Sequence, residues 1–192
     1  DAVKKDKERE LNQGNDGAWV AHPSLVEPVK NIFEKNFKGP NQLNKFNNIK
    51  INRRDLLDEP KIENAITEPG VRENLNEGII YLAFWLIGKG CSVVNYLMAD
   101  AATCEVSRAQ LWVWIKYGAK LDDGRVIDNK LINELINDEL KKINEKFNSW
   151  KEETGDKSLD KVSFTGAAKI FLEMVTKERF DDFLTLPLYE KL

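Results

Sequence analysis

The sequence predicts a mainly α-helical protein, with a short helix–strand–helix segment followed by a bundle of about five helices. Apolar residues recur at three- and four-residue steps through residues 67–192, which is typical of helices with one buried face. Residues 17–23 are short, apolar and bounded by Gly and Pro, which favours a single strand. The chain of 192 residues is 42% hydrophobic and 32% charged, the composition of an ordinary globular protein with a sizeable core.

The N-terminal elements follow in order. Residues 2–12 are predicted as a strongly polar helix that stops at Gly14. Residues 17–23 are predicted as one buried strand, and Ser24 as the cap of a helix over residues 24–38. Helix, strand and helix together are typical of the end of an α/β repeat rather than of a complete domain. Because the first residues resemble the middle of a charged helix, we interpret the chain as a piece of a longer protein.

Residues 40–66 are rich in Asn and Pro and have weak periodicity, which indicates a long connecting segment with a short turn of helix near residues 54–57. Thr67 is a good cap for the first helix of the bundle. The five predicted bundle helices cover residues 67–88, 104–117, 128–147, 158–176 and 180–184. No strand is predicted in this part.

Charge and composition exclude several classes of function. The net charge is −3 and Lys and Glu are mixed along the chain, so no concentrated basic face for nucleic acid is expected. No apolar run approaches the roughly 20 residues of a membrane span, so no membrane partner is expected. Two cysteines and one histidine make a disulfide framework, a zinc site and a Ser-His-Asp triad poor candidates.

Asp100 is the principal candidate for chemistry. It lies between an apolar run and a predicted helix start, and Thr103 looks like the better cap because Glu105 then falls in the first turn. Asp100 is therefore not needed as the cap of this helix. Two interpretations stay open: a loop aspartate bonded to nearby backbone amides, or a general base shielded from water near a helix N-terminus.

Tryptophans and a cysteine are further candidates. Trp112 and Trp114 lie about 200° apart on a helix, so one can face the bundle. The other is either exposed or half-buried, or it contacts a second surface such as a missing domain. Trp19, with Pro23 after it, either packs in the core or lies over a ligand. Cys91 fits a small buried filler better than a nucleophile.

Several motifs, in order along the whole chain, resemble the C-terminal third of malate synthase, with the shorter A-type enzymes most similar. The most specific is the block Met-x-Asp-Ala-Ala-Thr-x-Glu-x-Ser-Arg-Ala-Gln at residues 98–110. The others are Gly17-Ala18-Trp19-Val20-Ala21-His22-Pro23, Pro40-Asn41-Gln42, Asp55-Leu56-Leu57, Leu121-Asp122-Asp123-Gly124 and Asp182-Phe183-Leu184-Thr185-Leu186-Pro187.

The resemblance implies a TIM barrel closed by a C-terminal helical plug. Residues 1–39 would be the end of the barrel, with residues 18–22 as its last strand. Residues 40–66 would be a linker, and residues 67–192 the plug. The partner of this chain would then be the upstream barrel portion of the same protein.

The resemblance also implies an activity. The family condenses acetyl-CoA with glyoxylate and hydrolyses the product to malate and CoA, using Mg²⁺. Asp100 matches the family's general base, and Trp19 and Pro23 match positions near the substrates. The Mg²⁺ ligands and a catalytic arginine would lie upstream of this chain, so no metal ligand is assigned within it. A cytoplasmic location is expected, or a peroxisomal or glyoxysomal one in a eukaryote.

One residue departs from the family pattern: Ala99 stands where the family has Glu in Met-Glu-Asp, which bears on how the base is oriented. Two rivals remain: a non-catalytic helical interaction module, and a malyl-CoA lyase-like acyl-thioester enzyme. The Asp-Ala-Ala-Thr block argues against the second, and the orphan strand argues against the first.

Overall fold

The structure, a computed structural model, describes residues 1–57, 65–94, 97–155 and 157–191. It divides into two compact units, Asp1–Glu63 and Asn64–Leu192. No helix in the described ranges is long and apolar enough to cross a membrane. The predicted mainly α-helical fold is confirmed.

The described part of the first unit has two α-helices, α1 (Ala2–Asn12) and α2 (Val26–Asn36), and two short 3₁₀ helices, Pro23–Leu25 and Arg53–Leu56. Its small core joins α1 to α2 through Leu11, Val29 and Phe33. Leu11 is the one buried residue of α1, which agrees with the polar sequence of this helix.

The buried strand predicted at residues 17–23 does not form. Ala18 and Val20 pack against the core of the unit, whereas Trp19 between them is 70% exposed. These side chains alternate between the core and the surface, as they do in a strand. However, no partner strand lies in the described part of this unit to form the hydrogen bonds of a sheet.

The helix predicted over residues 24–38 begins differently from the prediction. His22, not Ser24, is the capping residue, and it caps the 3₁₀ turn Pro23–Leu25 that precedes the α-helix. Its Nδ1 accepts a hydrogen bond of 3.1 Å from the Ser24 amide. Pro23 occupies the first helical position, where its missing N–H costs nothing. The α-helix proper starts at Val26 and ends at Asn36.

The described part of the connecting segment, residues 40–57, is tied to α1 by Gln42. The Gln42 side-chain amide donates to the carbonyls of Leu11 at 3.0 Å and Asn15 at 2.6 Å. The turn of helix predicted near residues 54–57 is confirmed as Arg53–Leu56. Residues 58–64, the rest of the predicted linker up to Asn64, lie outside the described residues.

In the residues that the structure describes, the second unit is a bundle of four α-helices with a small hairpin. The helices are α3 (Glu68–Trp85), α4 (Ala101–Lys116), α5 (Asn129–Thr154) and α6 (Phe164–Thr176), and the strands are β1 (Ser92–Val94) and β2 (Leu97–Ala99). Two 3₁₀ helices, Lys157–Lys161 and Leu186–Lys191, complete it. Thr67 caps α3 as predicted, accepting from the Gly70 amide at 3.2 Å.

Helix α3 is the centre of the bundle and packs against each of the other three helices. Four consecutive residues of α3, from Tyr81 to Phe84, are buried. A helix with a single buried face cannot bury four consecutive residues, so α3 is buried on more than one face. At Gly78 the ring of Phe171 on α6 lies directly against the α3 backbone. The glycine thus permits a close crossing of the two helices.

The structure of this unit differs from the prediction in two predicted helices and in one hairpin that was not predicted. A two-stranded antiparallel hairpin, with Val93 opposite Met98, stands where no strand was predicted. The segment 177–184 is irregular rather than helical, and the last helix is the 3₁₀ turn Leu186–Lys191. The helix predicted from residue 158 is split into a 3₁₀ turn and α6. The hairpin strands and the last turn are short segments, where contacts distant in sequence outweigh local periodicity.

Candidate functional site

Asp100 is the N-terminal cap of α4, so the prediction that Thr103 caps this helix is wrong. One carboxylate oxygen, Oδ1, accepts hydrogen bonds from the amides of Ala102 at 2.9 Å and Thr103 at 3.1 Å. The Thr103 hydroxyl also donates to Oδ1, at 3.4 Å. Asp100 has extended backbone angles, φ −118° and ψ −171°, which place its side chain over the first turn. Thr103 is consequently the third helical residue.

The second carboxylate oxygen of Asp100 is available. The side chain is exposed, and Oδ2 accepts no hydrogen bond within the described residues. A carboxylate with one oxygen tied to a helix and the other open has a fixed orientation and a free acceptor. The predicted shielding from water is not provided by the described residues of this unit.

The hairpin leads directly into Asp100. Ala99, the last residue of β2, is 2% exposed and pairs with Ser92 on the inner side of the hairpin. The Ser92 hydroxyl is buried and has no hydrogen-bond partner in the described part of the chain. Val93 and Met98 on the other side are exposed, by 73% and 39%. A glutamate at position 99 would therefore be buried opposite Ser92.

Tyr81 on α3 supports the start of this hairpin. Its hydroxyl donates to the carbonyl of Gly90 at 3.4 Å. Burial raises the pKa of the Tyr81 phenol, with smaller contributions from Cys104 and from the Asp100 carboxylate. Tyr81 is therefore a neutral donor at physiological pH.

The two thiols lie in opposite environments. Burial raises the pKa of the Cys104 thiol far above its usual range, so Cys104 is an inert part of the core. Cys91 is exposed, and the prediction that it is a buried filler is wrong.

Two polar pairs hold α4 against α3. The Ser107 hydroxyl donates to Glu77 Oε2 at 2.9 Å, and the Asn74 amide donates to Gln110 Oε1 at 2.9 Å. Ser107 is 1% exposed. The polar positions of the motif at residues 98–110 thus face α3 at defined points, which sets the rotation of α4 and with it the direction of Asp100.

A buried ion pair that the sequence analysis missed joins α4 to the segment 177–184. Arg108 is fully buried; its guanidinium lies 2.7 Å from Glu105 Oε2 and donates to the Asp181 carbonyl at 2.9 Å. The guanidinium also stacks 3.8 Å from the Phe180 ring centroid. Glu105 Oε1 accepts the Leu184 amide at 2.5 Å. The i,i+3 spacing of Glu105 and Arg108 was the available signal.

The two tryptophans of α4 both have partners inside the second unit. Trp114 packs against the core of the bundle, as one of the two was predicted to do. Trp112 is half-buried; its indole N–H donates to the Lys177 carbonyl at 2.8 Å, and its ring lies 5.1 Å from that of Phe180. Of the two interpretations, a half-buried tryptophan describes Trp112 better than a tryptophan that waits for a partner on a second surface.

Trp19 and Pro23 belong to the first unit. The interpretation of Trp19 as a core residue is wrong, because 70% of it is exposed. Pro23 is exposed as well, at the start of its 3₁₀ turn. Both residues thus present surface that a ligand could contact.

The described residues contain no group of three or more His, Cys, Asp or Glu side chains arranged to bind a metal ion. Asp123 lies in a turn and pairs with Arg125 at 2.6 Å, and Asp181 pairs with Lys177 at 2.8 Å. A metal that needs three protein carboxylates or imidazoles does not fit the described part of this chain.

Comparison with known sequences identifies the chain's family. Residues 65–192 match the family profile described as malate synthase, C-terminal, and residues 1–59 match malate synthase, TIM barrel domain. The chain belongs to the malate synthase family. The resemblance seen in the sequence motifs is therefore confirmed, including the end of a TIM barrel in the N-terminal part.

Named malate synthases are similar along this whole chain. It is 44% identical to the malate synthase of Myxococcus xanthus, over 100% of this chain and 34% of the relative. It is 41% identical to the glyoxysomal malate synthase of Candida tropicalis, over 98% and 33% respectively. A bifunctional glyoxylate cycle protein of Caenorhabditis elegans is 39% identical over 99% of this chain and 18% of its own. The chain spans about a third of the length of the first two relatives.

Proposed function

We propose that this chain is the C-terminal part of a malate synthase. The whole protein would condense acetyl-CoA with glyoxylate and hydrolyse the malyl-CoA formed to malate and CoA, an acyltransferase reaction of the glyoxylate cycle. The observation that carries the proposal is the exposed carboxylate of Asp100, held at the N-terminus of α4 within the unit that matches the malate synthase C-terminal family.

The proposed organisation follows the sequence interpretation. Residues 1–39 form the end of the barrel, residues 40–66 a linker and residues 67–192 the helical plug. The barrel-domain family match ends at residue 59, and the C-terminal match begins at residue 65. The upstream portion of the barrel is the proposed partner of the plug.

Asp100 is the proposed general base. Its carboxylate removes a proton from the acetyl methyl carbon of acetyl-CoA; the C–H electron pair becomes the enolate, and the proton bonds to the carboxylate. A carboxylate is a much weaker base than a thioester enolate, so the enolate must be stabilised as it forms. Because the Asp100 side chain is exposed in the described residues, exclusion of water from the reaction would have to come from other parts of the whole protein.

Substrate contacts from the first unit are proposed for Trp19 and Pro23. The support is the exposure of both side chains, together with the match of residues 1–59 to the barrel-domain family. The proposed metal is Mg²⁺. The described residues contain no cluster of three or more His, Cys, Asp or Glu side chains that could hold it. From the family resemblance, we propose that its ligands and the catalytic arginine lie in the upstream part of the protein.

The location of the protein is proposed from its relatives. The relatives from Candida tropicalis and Gossypium hirsutum are named glyoxysomal. A peroxisomal or glyoxysomal site is proposed for a eukaryotic source, and the cytoplasm otherwise.

The deciding experiment is thiol release from acetyl-CoA with glyoxylate and Mg²⁺. It compares the protein containing this chain and its upstream barrel with the Asp100→Asn variant. We expect an active parent and a variant slower by roughly 10³-fold or more, because the asparagine keeps the cap but cannot accept the proton.

Two results would contradict the proposal. An equally fast variant would remove Asp100 from the reaction while leaving the enzyme assignment intact. A folded parent that releases no thiol would favour the helical interaction module instead.

A further inference from the structure

The two oxygens of the Asp100 carboxylate are not equivalent in this structure. Oδ1 receives all three hydrogen bonds, from two amides and the Thr103 hydroxyl. Oδ2 receives none from the described residues and belongs to an exposed side chain. The torsion that exchanges the two oxygens is intrinsically broad for aspartate, so the position of Oδ2 depends on what holds Oδ1.

We propose that Oδ2 of Asp100 is the atom that accepts the substrate proton, and that Thr103 is a positioning residue that fixes it by holding Oδ1. This inference rests on the proposed role of Asp100 as the base. Thr103 touches Asp100 but is not proposed to touch the substrate.

The proton transfer favours separate roles for the two oxygens, with Oδ2 as the proton acceptor and Oδ1 as the hydrogen-bond acceptor. When the methyl C–H bond breaks, its electron pair stays on the enolate and the proton bonds to Oδ2, which gives a neutral carboxylic acid. Oδ1 then becomes a carbonyl oxygen, which still accepts hydrogen bonds. The contacts from Ala102 and Thr103 therefore persist through the transfer, and helix α4 needs no rearrangement as the base changes its protonation state. If Oδ1 were protonated instead, its O–H group would lie next to the three hydrogen-bond donors.

Thr103 is the adjustable member of this set. The two amides are part of the α4 backbone, whereas the hydroxyl belongs to a half-buried side chain that can be changed without altering the helix. The three donors approach Oδ1 at 2.9, 3.1 and 3.4 Å. Loss of the hydroxyl leaves two donors and a wider range of carboxylate orientations, so fewer encounters place Oδ2 at the methyl group.

The test uses Thr103→Val and Thr103→Ser in the protein that contains the upstream barrel. The readouts are kcat, the KM for acetyl-CoA, and the isotope effect on kcat/KM with trideuterated acetyl-CoA. We expect Thr103→Val to lower kcat by about tenfold with KM within about twofold, since one hydrogen bond to a charged group is lost. The isotope effect should rise, because proton removal becomes slower relative to the other steps. Thr103→Ser should restore all three values.

An isotope effect is a ratio of rates and is unaffected by the folded fraction, so a purely structural role for Thr103 would leave it unchanged. Thr176→Val is the matched control, because it removes a hydroxyl that donates to the Leu172 carbonyl at 2.7 Å on α6. Should Thr103→Val not fold, Thr103→Ala makes the same deletion.

The outcomes separate this inference from the proposed function. An unchanged isotope effect in the Thr103 deletion, or a serine variant as slow as the valine variant, overturns the positioning role alone, provided Asp100→Asn is inactive. An active Asp100→Asn overturns the base and this inference together.

Discussion

At the scale of single residues, substitutions can separate the observed cap at Asp100 from its proposed role as the base. Asparagine caps helices as well as aspartate does, whereas alanine does not, so Asp100→Ala should lower the free energy of unfolding by about 1 kcal/mol and Asp100→Asn should hardly change it. Both should abolish malate formation in the whole protein. Urea unfolding with activity assays measures the two effects.

Asp128 provides the control for the cap. It caps α5 by accepting from the Leu131 amide at 2.8 Å. Asp128→Ala should cost a similar amount of stability, about 1 kcal/mol, but retain most of the activity. If Asp100→Ala proved as stable as Asp100→Asn, the observed capping contacts would contribute nothing.

Arg108 is expected to be the most sensitive charged residue of the second unit. Its replacement by alanine leaves Glu105 Oε2 and the Asp181 carbonyl without the guanidinium donor, and removes the stack on Phe180. Breaking a buried pair in this way costs about 3–5 kcal/mol. Chemical denaturation should show that loss.

The comparison variant for Arg108→Ala is Arg9→Ala, because Arg9 is 67% exposed and pairs with Asp6 at the surface. Its effect should stay within about 0.5 kcal/mol. Equal effects for the two variants would mean that the Arg108 cluster does not stabilise the fold.

At the scale of elements, the crossing of α3 and α6 depends on Gly78. A Cβ added there would fall inside van der Waals contact of the Phe171 ring. Alanine is the better helix former by about 1 kcal/mol, but forcing apart a packed crossing costs about 1–3 kcal/mol or more. We expect Gly78→Ala to be destabilising in thermal unfolding.

Gly70→Ala, in the first turn of the same helix, is the matched control. Its added Cβ would meet the Thr67 hydroxyl at 3.4 Å, an ordinary contact. This variant should be neutral or slightly stabilising. A Gly78→Ala protein as stable as Gly70→Ala would show that α6 can move away without cost.

The elements also show where sequence patterns were sufficient. Helix α5 was predicted from the apolar spacing that starts at Leu131, and its predicted start at residue 128 agrees with the observed start at Asn129 to within one residue. The hairpin was missed because each strand has only three residues, too few for a visible alternation. The α4 start was misplaced because Asp100 and Thr103 are both good caps, and local sequence cannot rank them.

At the scale of the whole molecule, stability should fall in acid through a charge cluster between α3 and α5. Arg72 contacts Glu68 at 2.7 Å and Glu139 at 3.0 Å, and Lys142 contacts Glu139 at 2.7 Å. Burial opposes the ionisation of Glu139, but the hydrogen bonds from Lys142 and Arg72 outweigh it and hold its pKa below the usual value.

A lowered pKa in the folded state gives stability that is present above the unfolded pKa and is lost as the pH falls through the folded value. The free energy of unfolding should therefore decline below about pH 4.5. Glu139→Gln should make that decline shallower, and the exposed Glu134→Gln on the same helix should leave it unchanged. An identical pH dependence in both variants would contradict this assignment.

Also at the scale of the whole molecule, we expect the 192-residue chain by itself to release no thiol from acetyl-CoA in the presence of glyoxylate and Mg²⁺. The metal ligands and the catalytic arginine are proposed to lie in the upstream part of the protein, which this chain does not contain. Measurable glyoxylate-dependent release by the purified chain would contradict this division of the site.

The sequence alone determined the family, the mainly helical fold and the candidate base, because motif identity and helical periodicity are properties of neighbouring residues. Only the tertiary structure decided that Asp100 is the cap with Oδ2 left open, and that Arg108 is buried. The partners of Arg108 at Phe180 and Asp181 lie more than seventy residues away along the chain. Burial and pairing of a charge depend on such distant contacts, which no local pattern contains.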